Sequence, residues 1–101
     1  MLDCCPMALL FEWNRRKAAA NVRKHGVSFE EAAAVFGDSL ARVIDDPDHS
    51  DNEVRDIIIG YSTNDRLLFV SFTERRGWLR ILSARRATPR ERREHEEANF
   101  H

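Results

Sequence analysis

The chain has 101 residues, 43% hydrophobic and 33% charged, with 16 basic against 17 acidic side chains and a formal net charge of −1. That length and apolar content fit one domain with one modest core, and the near-zero total excludes a chain that is cationic throughout. No apolar run reaches membrane-spanning length, and residues 1–10 lack the basic start and long apolar core of a signal peptide.

Cys4 and Cys5 are adjacent and have no further cysteine with which to build a disulfide framework or a zinc site, which fits a reducing, cytoplasmic setting. Residues 1–7 read as a disordered leader, with Met7 an alternative start to Met1, and residues 8–101 as a single domain. Residues 8–11 are a short apolar run and a candidate first strand. Asn14 is placed to cap a helix over 15–25, where alanines 18–20 favour helix and Gly26 ends it. Ser28 and Glu31 form a second capping box, with Val27 and Ala32 at staple positions, for a helix reaching Phe36. Phe29, Ala32, Ala33 and Phe36 share one face of it.

Residues 40–46 alternate apolar and polar as a strand with unlike faces does. An Asp-rich loop follows at 46–52. Strands are expected at 54–60 and 67–74, joined by the turn-forming run Ser62, Thr63, Asn64 and Asp65. Arg75, Arg76 and Gly77 make the next hairpin, leading into a strand at 78–84. Thr88, Pro89 and Glu91 then open a last helix over 89–99 with almost no apolar stripe. The expected class is α+β: two N-terminal helices, a four-stranded, mainly antiparallel sheet and a C-terminal helix.

Charge is unevenly distributed. Residues 75–93 hold eight arginines and one acid, Glu91, whereas residues 30–56 hold nine acids and two arginines. The junction between last strand and last helix is flanked by Arg80, Arg85, Arg86, Arg90, Arg92 and Arg93. A planar guanidinium suits phosphate, because its fork bonds two oxygens and stays charged at any working pH. On a regular strand Arg80 and Arg85 face opposite ways and Arg80 and Arg86 the same way. A bulge or strand end near Ser83 alters this, so either pairing is open.

Several stretches together resemble a known family: Phe11 and Trp13; the run Asn21-Val22-Arg23-Lys24-His25-Gly26-Val27-Ser28-Phe29 with Glu31 and Ala32; Thr73-Glu74-Arg75; and the run from Arg80 through Thr88-Pro89 with Glu91 and Arg92. In order and spacing they are similar to the BrnT toxins of type II toxin–antitoxin operons. The resemblance implies a RelE-like α+β fold and a ribonuclease that cuts RNA and arrests translation. It also implies a cognate, BrnA-like antitoxin that neutralises the toxin and carries the pair to operator DNA. His95 stands in the last helix where the resemblance places a tyrosine, so an imidazole replaces a phenol.

The four histidines, His25, His49, His95 and His101, show no zinc-ligand spacing, the Asp-rich loop lacks a calcium-loop pattern, and no cofactor motif appears. Metal-free RNA cleavage needs less: the 2′-hydroxyl is an internal nucleophile, so the protein aligns it, stabilises charge on the phosphate and moves protons. Arginine serves the charge and not the proton, because it holds its own. The candidate catalytic residues are Lys24, His25, Glu74, Arg75, Arg80, Arg85 and His95, with the proton carriers among Lys24, His25, Glu74 and His95. Arg76, Trp78, Arg86 and Arg90 are the candidate RNA contacts, Trp78 by stacking on a base. The competing readings are a solvated arginine face, His25 as a helix cap, His95 as an exposed helical residue and Glu74 in an ion pair. The alternative function is a non-catalytic module that, with its antitoxin, represses an operon.

Overall fold

The computed structural model describes residues 10–45 and 55–98. The expected leader, both cysteines, the Asp-rich loop, His49 and His101 lie outside the described residues. In chain order the elements are β1 (Leu10–Glu12), α1 (Arg15–His25), α2 (Phe29–Ala34) with a 3-10 turn (Val35–Gly37), β2 (Arg42–Asp45), β3 (Asp56–Tyr61), β4 (Leu67–Arg75), β5 (Trp78–Arg86) and α3 (Pro89–Ala98).

Among the described residues the strands form one sheet in the order β1-β5-β4-β3-β2, so it has five strands there and not the expected four. The extra one is β1, which runs parallel to β5 and pairs Leu10 with Trp78, Phe11 with Leu79 and Glu12 with Arg80. Counting hairpin turns overlooks it, because a parallel partner arrives by a crossover and not through a tight turn. The other pairings are antiparallel.

Local chemistry accounts for the helix ends. Asn14 accepts from the amides of Arg16 (2.9 Å) and Lys17 (3.1 Å) and starts α1. Gly26 ends it at φ 69°, a left-handed conformation that costs glycine little. Ser28 Oγ accepts from the Glu31 amide at 3.0 Å. Glu31 does not reach back to complete the box. Its buried carboxylate instead accepts from Ser62 Oγ at 2.7 Å, from Arg66 Nε at 2.9 Å and from Arg66 Nη2. These bonds hold the carboxyl below its ordinary range, the Arg66 guanidinium foremost, against burial, which pushes the other way. The second helix is also shorter than expected, tightening into the 3-10 turn where Val35 packs against β3.

The core lies between these helical segments and one face of the sheet. Val27, Phe29, Ala32 and Val35 pack on Ile58, Leu68, Val70, Phe72, Ile81 and Ala84. Phe36 meets Phe11 and Phe72 edge-to-face, at 5.2 and 5.0 Å between centroids. A Cβ on Gly60 would stand 3.0 Å from Ala41 Cβ, Val35 Cγ1 and Asp38 Oδ2, and Asp38 Oδ2 also accepts from the Tyr61 amide at 2.7 Å. Gly60→Ala is therefore expected to destabilise the fold by about 1–3 kcal/mol, since the crowding atoms belong to short side chains with little freedom to move and to a carboxylate held by the Tyr61 amide; a denaturant titration checks it.

Among the described residues no strand pairs with the β1 edge of β5 beyond Arg80. The side chain of Asn21, on α1, takes that place. Its Nδ2 donates to the Ala84 carbonyl at 2.8 Å and to the Val27 carbonyl at 2.9 Å, while its Oδ1 accepts from the Ala84 amide at 3.1 Å. A two-residue turn, Arg76 (φ 55°) and Gly77 (φ 84°), joins β4 to β5, the left-handed pair that matches strand twist. Among the described residues no helix is long and apolar enough to cross a membrane.

Candidate functional site

The ladder between β4 and β5 slips once. Ser71 pairs with Ser83 and Phe72 with Ile81, which leaves Leu82 as an extra residue on β5. Such a bulge reverses the alternation of side chains beyond it. Ile81 and Ala84, three apart, consequently both point into the core. Arg80 and Arg85, five apart, both project from the sheet face that α1 and α2 leave uncovered. Thr73, Ser71 and Phe69 lie opposite Arg80, Ser83 and Arg85 on that face.

Two clefts open along it. One, of about 290 Å³, is bordered by His25, Arg55, Phe69, Ser71, Ser83 and Arg85. The other, of about 640 Å³, is bordered by Glu12, Arg75, Arg76, Trp78 and Arg80. His25 enters the first because α1 ends beside the edge of β5 where Asn21 is bonded. Trp78, 40% exposed, presents its ring beside three arginines in the second.

Arg85 is held in place. Its two terminal nitrogens donate to both oxygens of Glu91, at 2.9 and 3.0 Å, and its guanidinium lies 4.4 Å from the centre of the Phe69 ring. Glu91 is fixed in turn by α3, accepting from the Thr88 amide at 2.9 Å while its own amide donates to Thr88 Oγ1 at 3.1 Å. With one further bond from Nη1 to the Arg86 carbonyl, the Arg85 Nε–H and one Nη2–H remain for a ligand. Arg80 lies 3.4 Å from Glu12 across the β1–β5 pair. Arg55 differs from both: its Nε is buried and has no hydrogen-bond partner among the described residues. Its guanidinium charge faces the His25 cleft with no carboxylate beside it among those residues.

The Arg85 guanidinium, with help from the Thr88 amide, holds the Glu91 carboxyl down to about 2, against burial. A carboxyl depressed from 4.5 stabilises the fold above about pH 4.5, and that contribution is lost as pH falls toward 2. The pair is partly solvated, so about 1–2 kcal/mol is expected after screening. Urea titrations at pH 7 and pH 3 should show a smaller loss of stability for Glu91→Gln than for the native chain; equal losses would remove the pair from the account.

The remaining predicted residues fall elsewhere. Lys24 is exposed on the last turn of α1 and does not border the cleft that His25 enters. Glu74 is exposed on β4, opposite Leu79, on the helix-bearing face beyond the core, and borders neither cleft. Arg86 follows Arg85 but pairs with Leu68 and points the other way. Arg90 is exposed and pairs with Glu94 at 3.6 Å. His95 is 4% exposed, with its ring 5.8 Å from that of Tyr61; burial and the nearby Arg42 lower its proton affinity. Glu12, Arg55, Ser71 and Ser83 join the site although sequence reasoning passed over them. Glu12 carried a signal, standing between Phe11 and Trp13. Arg55 carried none, lying in an acidic stretch.

Among solved structures, the crystal structure of the Brucella abortus ribonuclease toxin BrnT matches with a TM-score of 0.62 and 24% identity, over 80% of this chain and 99% of that one. At that identity the likeness speaks for the fold. A search of curated proteins finds no match. A family model described as the ribonuclease toxin BrnT of type II toxin–antitoxin systems matches residues 13–91, which takes in both motif runs, the bulged strand and the α3 cap. The chain belongs to the BrnT ribonuclease toxin family.

Proposed function

We infer that this protein is a metal-independent endoribonuclease that inhibits translation, and that RNA lies along the uncovered sheet face. The observation that carries the reading is the slip at Leu82, which turns Arg80 and Arg85 to one side and sets Arg85 beside His25 in a single cleft. Arg85 and Arg55 would grip the non-bridging oxygens of the scissile phosphate, where charge grows as the fifth bond to phosphorus forms. The His25 imidazole takes the proton of the 2′-hydroxyl as the 2′-oxygen bonds to phosphorus. The bond from phosphorus to the 5′-oxygen breaks, and that oxygen takes a proton from solvent. Arg80, Arg75 and Arg76 would hold neighbouring phosphates, with a base stacked on Trp78.

The test is cleavage by purified protein in EDTA, with the RNA ends mapped. Cutting is expected, with a 2′,3′-cyclic or 3′-phosphate end. A requirement for Mg²⁺ or a 5′-phosphate end overturns the mechanism.

A cognate, BrnA-like antitoxin is expected to neutralise the toxin by covering this cationic face with an acidic or amphipathic segment, and to bring the pair to operator DNA. Reversing the charge of Arg80 and Arg85, which share this face, should weaken that complex; unchanged binding removes the electrostatic account. One observation favours the second reading, a module that binds without cutting. Of the four proton-carrier candidates only His25 borders the cleft. Absence of cutting at high protein concentration, with antitoxin binding intact, would select it.

A further inference from the structure

A third cleft, of about 400 Å³, opens beside the start of α3, and Arg66, Arg86, Arg92 and Arg93 border it. Arg86, Arg92 and Arg93 are exposed and have no carboxylate partner among the described residues. Arg66 is anchored: Nε and Nη2 bond the buried Glu31 carboxylate, and Nη2 also donates to the Gly26 carbonyl at 3.1 Å. Both Nη1 donors are left over. A carboxylate 8% exposed thus fixes one guanidinium at the rim, and three exposed ones stand around it.

Position on β5 connects this cleft with the one holding His25. Arg85 borders one and Arg86 the other, from opposite faces of the strand at its last two residues. A single strand of RNA leaving the His25 cleft past the end of β5 would meet the second group of guanidiniums next. Four guanidiniums and no carboxylate line the cleft, and its large apolar residue, Leu67, is 2% exposed, so the lining favours a polyanionic strand over an apolar protein segment.

We propose that the cleft of Arg66, Arg86, Arg92 and Arg93 is a second phosphate-binding site, which holds the RNA backbone a few nucleotides from the point of cutting. This rests on the reading of the chain as an RNA-binding nuclease and adds a substrate-length requirement to it. Oligonucleotides long enough to span both clefts bind more tightly and with a steeper salt dependence than short ones.

The test is fluorescence anisotropy with labelled, uncleavable 2′-O-methyl RNA, a dodecamer and a trinucleotide, on the full chain and on a double variant, Arg92→Ser with Arg93→Ser. Both side chains are exposed, and an unchanged melting temperature confirms the fold. The dodecamer slope of log affinity against log salt should fall by about 1.4 for two lost phosphate contacts on a single strand. Between 50 and 200 mM salt, the native chain then loses about sevenfold more dodecamer affinity than the variant. The trinucleotide should bind both proteins alike. An unchanged dodecamer slope, or equal losses for both RNAs, overturns the proposal. So does a variant that keeps its RNA affinity and loses only the antitoxin, because the cleft is then a protein contact. If the native chain cuts no RNA while the length-dependent loss is seen, the nuclease reading fails and the second site stands.

Discussion

Arg85→Ala is expected to lower the rate of RNA cleavage by about 10²–10³-fold, the range for removing one preorganised donor from developing charge. The argument is geometric. Two bonds to Glu91 and the Phe69 face hold the Arg85 guanidinium, so it need not be ordered when substrate arrives. Arg85→Lys retains the charge and loses the planar fork, and should remain well below the native rate. Single-turnover rates on a short RNA, with circular dichroism as a check on folding, decide it. Full activity in Arg85→Ala would remove this residue from the site and move the chemistry toward the Arg80 cleft. Arg80→Ala is the companion experiment, and the larger of the two losses marks the cleft that holds the scissile phosphate.

Asn21→Ala should be the most damaging single polar substitution for stability. It leaves the Ala84 amide, the Ala84 carbonyl and the Val27 carbonyl without the partners they now have, in a site 6% exposed. At about 1–3 kcal/mol for each buried group left unmade, offset by water entry at the strand edge, the expected loss is about 3 kcal/mol. In a domain of this size that lowers the melting temperature by more than about ten degrees. Asn21→Asp separates shape from bonding, since a carboxylate of the same size cannot donate to the two carbonyls. It should destabilise at least as much as alanine; near-native stability would show that Asn21 acts by filling space. Because α1 ends at His25, loosening Asn21 should also depress cleavage, and by more than the unfolded fraction accounts for.

Local chemistry determined much of this molecule. Asn14 with Gly26 bounds α1, Thr88 with Glu91 opens α3, and Arg76 with Gly77 makes a two-residue turn, because each depends on side-chain caps or backbone conformations set within a few residues. The same holds for the α+β class, for the family likeness, and for the gathering of arginines about one strand. Tertiary structure alone decided which arginines share a face. A strand's side chains alternate only until its ladder slips, and a slip at Leu82 depends on how β4 and β5 pair, not on either segment by itself. It likewise decided that β1 joins by a parallel crossover, that Arg55 leaves an acidic stretch for a cationic cleft, and that His95 is buried beside Tyr61 and not exposed on its helix. Those placements follow from contacts between residues far apart in the chain, whose free energy no local pattern records.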